Sequence, residues 1–409
     1  MKKYLAVALG VLSAIGGFVD IGDLVTNALA GARFGLSLGW VVVLGVVGIC
    51  VFAEMSGRVA AVSGRATFDL VRERLGPRMG LLNLVGSMGV TVLTFIAEIG
   101  GVALAIQLVT SVNELLIVPF VALLVWMVLW RAKFTWMENV LGLLGLALVV
   151  FAVALWQLAP DWSHLGHQMA AVDKPGDESW LTWAFYAVAL FGAAMTPYEV
   201  FFFSSGIVEE GWTVKDLGLV RANVFLGFPL GGVLSLAIAG CTAVVLGPLD
   251  IGVDTLGQVG LPVAVALGKV GLAIALVGFV AATFGAACET GLSAGYSIAQ
   301  YFGWQWGKYV RTDKAARFHL VLVLVTLLAV GVLMTGVDPI LVTEVSVVFS
   351  AVALPLTYFP ILVVANDPDY MGEHANGRLA NLLGTVYLFI LLIVAVAAIP
   401  LMVLTGMGA

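Results

Sequence analysis

Charge is what this chain has least of: Asp, Glu, Lys and Arg make up 11% of its 409 residues. Soluble domains carry roughly 25%, so a water-exposed globule is excluded at the outset. Cysteine and histidine are also scarce, at three and four residues. Cys50, Cys241 and Cys288 fall inside apolar runs without metal-ligand spacing, which excludes a disulfide framework and reads them as small buried residues. His164 and His167 form a His-x-x-His pair with no third ligand at a defined spacing, and their segment reads as a solvated loop. With no basic stripe or nucleic-acid motif, and a net charge of −6, nucleic acid is excluded as a partner. Nucleophile elbows, phosphate loops and clustered His-Glu zinc motifs are missing too, so nothing supports an enzyme and no cofactor is expected. No Ser- or Pro-rich linker divides the chain, which reads as one domain over residues 1–409 with no obligate protein partner evident.

What fills the space is apolar sequence, 61% of all residues. Eleven runs approach the ~20 residues that cross a bilayer, at roughly 4 to 32, 38 to 62, 80 to 109, 113 to 130, 137 to 158, 181 to 207, 222 to 247, 260 to 298, 317 to 336, 339 to 365 and 380 to 405. The expected class is all-α, a multi-pass protein of the cell membrane with the lipid bilayer as its surroundings. Basic residues collect in short cytoplasmic loops. With the N-terminus inside, all but Arg33, Lys174 and Lys269 of the 19 Lys and Arg fall on the cytoplasmic side, and the C-terminus lies outside. The Lys2-Lys3 start resembles a signal peptide, but no small-residue cleavage site follows and Asp20 interrupts the apolar run, so it reads as the first span.

Two carboxylates sit inside that first span, in Gly16-Gly17-Phe18-Val19-Asp20-Ile21-Gly22-Asp23. Acids at bilayer depth are costly and usually mark an ion or proton path. The neighbouring glycines weaken the helix, and a span broken there frees backbone carbonyls that can bind a cation. The sixth span repeats the anomaly with Met195-Thr196-Pro197-Tyr198-Glu199, where proline interrupts the helix and an acid follows. Breaks at the first member of two five-span halves point to the binding site of an inverted-repeat transporter. The halves are expected over about 4–158 and 181–365, with an extra helix at about 380–405.

The run from Asp20-Ile21-Gly22-Asp23 through Ala30-Gly31-Ala32-Arg33-Phe34-Gly35 resembles the Asp-Pro-Gly-Asn first-helix motif of the NRAMP divalent-metal transporters and its Ala-Gly-Ala-x-Phe-Gly flank. Thr196-Pro197-Tyr198-Glu199 with Met195 resembles their Met-Pro-His-Asn motif. Ala97-Glu98-Ile99-Gly100, Glu289-Thr290-Gly291 and Leu354-Pro355-Leu356-Thr357-Tyr358 extend the similarity across nearly the whole chain. The resemblance implies 11 transmembrane helices in a LeuT-like inverted 5+5 repeat with helices 1 and 6 broken. It also implies a secondary transporter moving divalent cations into the cytoplasm by alternating access.

The departures bear on the ion. Carried over by position, the implied ligands are the Asp20 and Asp23 carboxylates, the Thr196 hydroxyl and the Ala193 backbone carbonyl. Asp23 stands where the family has Asn, and Thr196 where it has a thioether. Oxygen ligands of this kind suit Mg²⁺ and Mn²⁺ over soft metals, and the chain looks most like the NRAMP-related magnesium transporter branch. Met195 is an alternative ligand, although Pro197 aligns Thr196 with the family's Met. Glu199, Glu98 and Gly17 are expected on the ion path or against the ligands. The family's proton route is largely gone: its span-three Asp reads Phe95, its span-six histidine positions read Tyr198 and Phe203, and its span-ten Gln reads Val347. Weak or no proton coupling is therefore expected, with a proton-coupled Mn²⁺/Fe²⁺ transporter as the alternative. An amino-acid transporter of the same architecture is a further one, disfavoured because two fixed acids would repel a substrate carboxylate.

Overall fold

The computed structural model describes residues 19–172, 174 and 178–408. Gly17 and the N-terminal half of the first run therefore lie outside the described residues. The remainder of that run is α1, Ile21–Phe34, which starts on Asp20 and stops at Gly35, whose φ of 60° a side-chain-bearing residue rarely adopts. Then follow α2 (Gly39–Ser63), α3 (Thr67–Thr110), α4 (Glu114–Arg131), α5 (Phe134–Gln157) and a short helix, α6 (Trp162–Ala170). The second half comprises α7 (Trp180–Ala194), α8 (Pro197–Glu209), α9 (Val214–Leu249), α10 (Leu256–Phe302), α11 (Ala316–Leu333), α12 (Pro339–Ala365) and α13 (Arg378–Leu404).

Ten helical stretches among the described residues are long and apolar enough to cross a membrane, α7 and α8 counting as one. With α1 as the described part of the first run, the eleven expected spans are accounted for. Helix is the form a bilayer demands, because every backbone N–H and C=O must find a partner within its own segment.

Three features depart from the expected elements. The run expected at 80–109 begins earlier, as a short helix from Thr67 that turns at Gly76 (φ 82°) before Pro77 restarts it. The run at 260–298 is interrupted at Gly268 (φ 65°, ψ −157°) and extends to Phe302. The segment read as a solvated loop holds α6, started by Asp161 accepting from the Ser163 and His164 amides, with His164 bonded to Gln168 at 3.0 Å.

Burial sorts the helices into centre and rim. Of the most apolar window of α7 and α8, 89% is buried, against 17% for α13, which lies at the periphery. Long α3 packs most extensively against α10 and α12, while α1 packs against α9. Two contacts explain why glycine stands where it does. A Cβ on Gly31 would sit 2.1 Å from the Ala239 carbonyl of α9, and one on Gly192 would sit 2.3 Å from the Val347 carbonyl of α12. In lipid, where apolar burial between helices gains little, such close backbone approach is what holds spans together.

The two ends of the bundle differ in packing. At the arginine-rich end, Arg58 is 5% exposed and donates to Glu54, to Asn376 Oδ1 at 2.6 Å and to the His374 carbonyl. Arg221 reaches the same Glu54 at 3.2 Å, so this acid is paired rather than merely solvated. Arg74 pairs with Asp367. The opposite end opens into a cavity of about 820 Å³ bordered by Asp250, Asp254, Asp338 and Glu344, with Arg33 paired to Glu178 at its rim.

Candidate metal site

Asp20 is the residue preceding α1, and its extended backbone (φ −95°, ψ −176°) lets the side chain fold back over the first turn. Its Oδ1 accepts the Asp23 amide at 2.9 Å, which caps the helix. Its Oδ2 accepts the Tyr198 hydroxyl at 3.3 Å. A third carboxylate joins from a different helix: Glu98 of α3 takes the Ile21 amide at 3.0 Å. The first orphan donors of α1 are thus met by two acids, one local and one 77 residues away.

Asp23 lies one turn further along, fully buried. Its Oδ1 accepts from Asn27 Nδ2 at 3.0 Å and from Ser235 of α9 at 3.4 Å, while Oδ2 has no protein partner. Asn27 and Ser235 are contributors that the sequence reading did not single out. Asn27 was within reach of it, since an amide four residues after an acid shares its helix face. Ser235 was not, because only the packing of α9 on α1 brings it there.

The second break separates α7 from α8. Pro197 opens α8 at the position where a missing N–H costs nothing. Thr196 precedes it with Glu199 three residues on, the spacing of a capping box. That box does not form: Thr196 makes no capping bond, and its Oγ1, in a residue 2% exposed, makes no close hydrogen bond and lies beside the Glu199 carboxylate. Glu199 is likewise buried with Oε2 unpartnered. Ala193 stands in the last turn of α7, where helix carbonyls lack intrahelical donors, and is buried beside Ala189 and Val347.

Asp20 and Thr196 line one small cavity, together with Thr94 and Ala97 of α3 and with Thr343, Ser346, Val347 and Ser350 of α12. Asp23 and Ala193 are not among its lining residues. Met195 points elsewhere. Its sulfur lies over α2, where a Cβ built on Gly48 would be 2.6 Å from it, and the Tyr358 hydroxyl holds its carbonyl at 3.2 Å. The thioether thus packs between helices. Glu344 borders the large cavity. Among the described residues, no three His, Cys, Asp or Glu side chains converge as a ready-made metal cluster. A cation here would rely on mixed oxygen donors from the two breaks.

A family described as Natural resistance-associated macrophage protein-like (Nramp) matches residues 10–400. Among solved structures, the manganese transporter of Eremococcus coleocola superposes with a TM-score of 0.73 at 17% identity, over 95% of this chain and 85% of that one. A nucleobase-cation-symport-1 family transporter follows at 0.60 and 15% identity, covering 96% and 91%. A Na⁺-coupled sialic acid symporter gives 0.51 and 12%, covering 97% and 96%. At these identities the likeness establishes the LeuT-like fold of the chain.

Proposed function

The chain belongs to the Nramp family, and on that premise we propose that it carries a divalent cation, Mg²⁺ or Mn²⁺, into the cytoplasm by alternating access with little or no proton coupling. It is a multi-pass membrane protein of a transporter family and not an enzyme. The observation that carries the finer reading is the small cavity that Asp20 and Thr196 both line, while the Met195 sulfur packs over α2. Hard oxygen donors favour Mg²⁺ and Mn²⁺ over soft ions. Asp20, Asp23, Thr196 and the Ala193 carbonyl are the proposed ligands, with Glu98 and Glu199 beside them. Gly17 keeps its proposed place on the ion path.

Proton coupling is not needed on energetic grounds. Each positive charge entering is favoured by ~2.3 kcal/mol per 100 mV of inside-negative potential, so two give about 4.6 kcal/mol. That corresponds to roughly 2,000-fold accumulation. Glu98 also has other work: it holds the Ile21 amide, and the relay positions around it read Phe95, Tyr198 and Phe203. The second reading, proton-coupled Mn²⁺ uptake, draws support from the Eremococcus coleocola manganese transporter.

Purified protein in liposomes, with a pH-sensitive dye inside and an imposed potential, tests the choice. Uptake of Mg²⁺ or Mn²⁺ should persist without a pH gradient and without acidification of the lumen. Acidification that follows ion uptake and disappears in Glu98→Gln would establish the coupled reading instead.

A further inference from the structure

We propose that the outer face of α4 and α11, at the arginine-rich end of the bundle, holds an anionic phospholipid by its phosphate, with Arg131 and Arg317 as the principal contacts and Lys133 and Lys314 beside them.

Two segments meet there. The chain after α10 folds back under α4: Lys308 Nζ donates to the Val128 carbonyl at 3.1 Å and to the Leu129 carbonyl, and the Tyr309 hydroxyl lies 2.9 Å from Thr135 Oγ1. A lysine on the last carbonyls of a helix is a favourable cap, so residues 302–317 are pinned against residues 128–135. Together these segments carry Arg131, Lys133, Lys308, Arg311, Lys314 and Arg317 against a single acid, Asp313. Arg311 pairs with that acid at 3.0 Å, and Lys308 is spent on α4. The neighbouring acids of α8 and the loop after it are engaged too: Glu209 accepts the Lys308 amide, and Glu210 accepts from Thr135 at 3.1 Å. Among the described residues, no carboxylate is in ion-pair contact with Arg131, Lys133, Lys314 or Arg317.

Elsewhere at this end arginines are matched with acids. Arg58 and Arg221 share Glu54, Arg65 pairs with Glu73 at 2.8 Å, and Arg74 pairs with Asp367. Arg131 and Arg317 have an aromatic ring where those have a carboxylate. The Arg131 guanidinium lies 4.3 Å from the centre of Trp130, which stacks on Trp126 at 5.3 Å. That of Arg317 lies 5.3 Å from Trp304, which stacks on Phe302 at 4.8 Å. A ring face positions a guanidinium without using its N–H donors, which lie in the guanidinium plane. Each arginine is thus oriented, exposed and uncompensated, and its free fork matches a phosphate.

The apolar surroundings select a lipid as the source of that phosphate. One to three turns deeper in the spans, Leu123 and Leu124 of α4 and Leu320 and Leu324 of α11 are about half exposed. On helices that cross a bilayer such side chains meet acyl chains, which sets the four cations at the depth of the headgroups. Trp130 and Arg131 close α4 at the position of an interfacial anchor. Basic residues favour the cytoplasmic side, whose leaflet carries anionic lipid, and each Lys or Arg near it gains roughly fivefold in affinity. A soluble phosphate would gain nothing from the leucines.

The test is thermal melting of the purified full chain in detergent, titrated with phosphatidylglycerol or with phosphatidylcholine of the same acyl chains. Phosphatidylglycerol should protect wild type at the lower concentration. Combining Arg131→Gln with Arg317→Gln should raise the half-saturating phosphatidylglycerol concentration by roughly 25-fold, two contacts' worth, and leave the phosphatidylcholine titration unchanged. Arg378→Gln removes a charge at the same end from α13, which packs on α12, α7 and α2, and should titrate like wild type. Equal midpoints for the two lipids in wild type would overturn the site. An equal loss in Arg378→Gln would overturn it as well, by showing an effect of net charge alone. Inorganic phosphate should give no protection at the concentration where phosphatidylglycerol saturates, and full protection by phosphate would replace the lipid with a soluble anion. If the double variant does not elute as one folded species, Arg131→Lys and Arg317→Lys keep the charge and lose the planar fork. Each should weaken phosphatidylglycerol several-fold, and wild-type midpoints in both would overturn the role of the stacked guanidinium groups.

Discussion

The two interrupted spans expose comparable backbone and treat it differently. At the start of α1, the Asp23 amide has the Asp20 carboxylate, the Ile21 amide has Glu98, and the second oxygen of Asp20 has Tyr198. At the start of α8, Thr196 and Glu199 occupy capping-box positions without closing the box, and each retains an oxygen without a close hydrogen bond. A buried polar atom without a partner costs about 1–3 kcal/mol. Asp23 Oδ2 and Glu98 Oε2 beside α1 are unpartnered as well, so the difference lies in the helix amides, which carboxylates cap at the start of α1 and no side chain caps at the start of α8.

The comparison can be broken most forcefully at the acids. Asp20→Ala removes both the helix cap and the proposed principal ligand, and Asp23→Ala removes the second carboxylate. Each should abolish or severely reduce divalent-cation uptake in liposomes while the protein still elutes as a folded monodisperse species. Wild-type rates in Asp20→Ala would mean that the ion binds elsewhere.

A smaller effect is expected at Glu98, where the contribution is to hold α1 in place. Glu98→Gln keeps an oxygen that can accept the Ile21 amide, and Glu98→Ala does not. The alanine variant should lose about 1–3 kcal/mol of stability, the cost of leaving the buried Ile21 amide unpaired, and should melt at lower temperature. The glutamine variant should recover most of that loss along with uptake. If the two variants melt alike, the bond to Ile21 contributes nothing.

The mildest change is one of preference. Thr196→Met places a thioether at the incomplete break and should raise the Cd²⁺ to Mg²⁺ uptake ratio without eliminating transport. A constant ratio in an active variant would show that residue 196 does not face the ion.

Much of this arrangement could be read from the chain because apolar runs are long and polar residues within them are rare. Asp20, Asp23, Pro197 and Glu199 stand out for that reason, and with them the positions of both breaks. Other features are silent in sequence for equally physical reasons. Gly268 is followed directly by Lys269 in a run that is otherwise apolar, but glycine is common in membrane helices and a lone lysine does not mark the place where the chain turns. Ser346 and Ser350 carry no signal in the sequence, because Ser and Thr in such spans usually bond to their own preceding carbonyls. Only the packing of α12 on α1 and α3 reveals that they share a cavity with Asp20. The bond from Glu98 to Ile21 spans 77 residues and no local pattern encodes it.

The seam at Gly31 has a mechanical consequence. With the Ala239 carbonyl within 2.1 Å of where a methyl would be, the two backbones have no side chain between them to change rotamer and absorb a displacement. A hinge needs slack, and this contact has none. Any displacement of α1 must therefore be handed directly to α9, so the two helices behave as one stiff unit that carries Asp20 at its end.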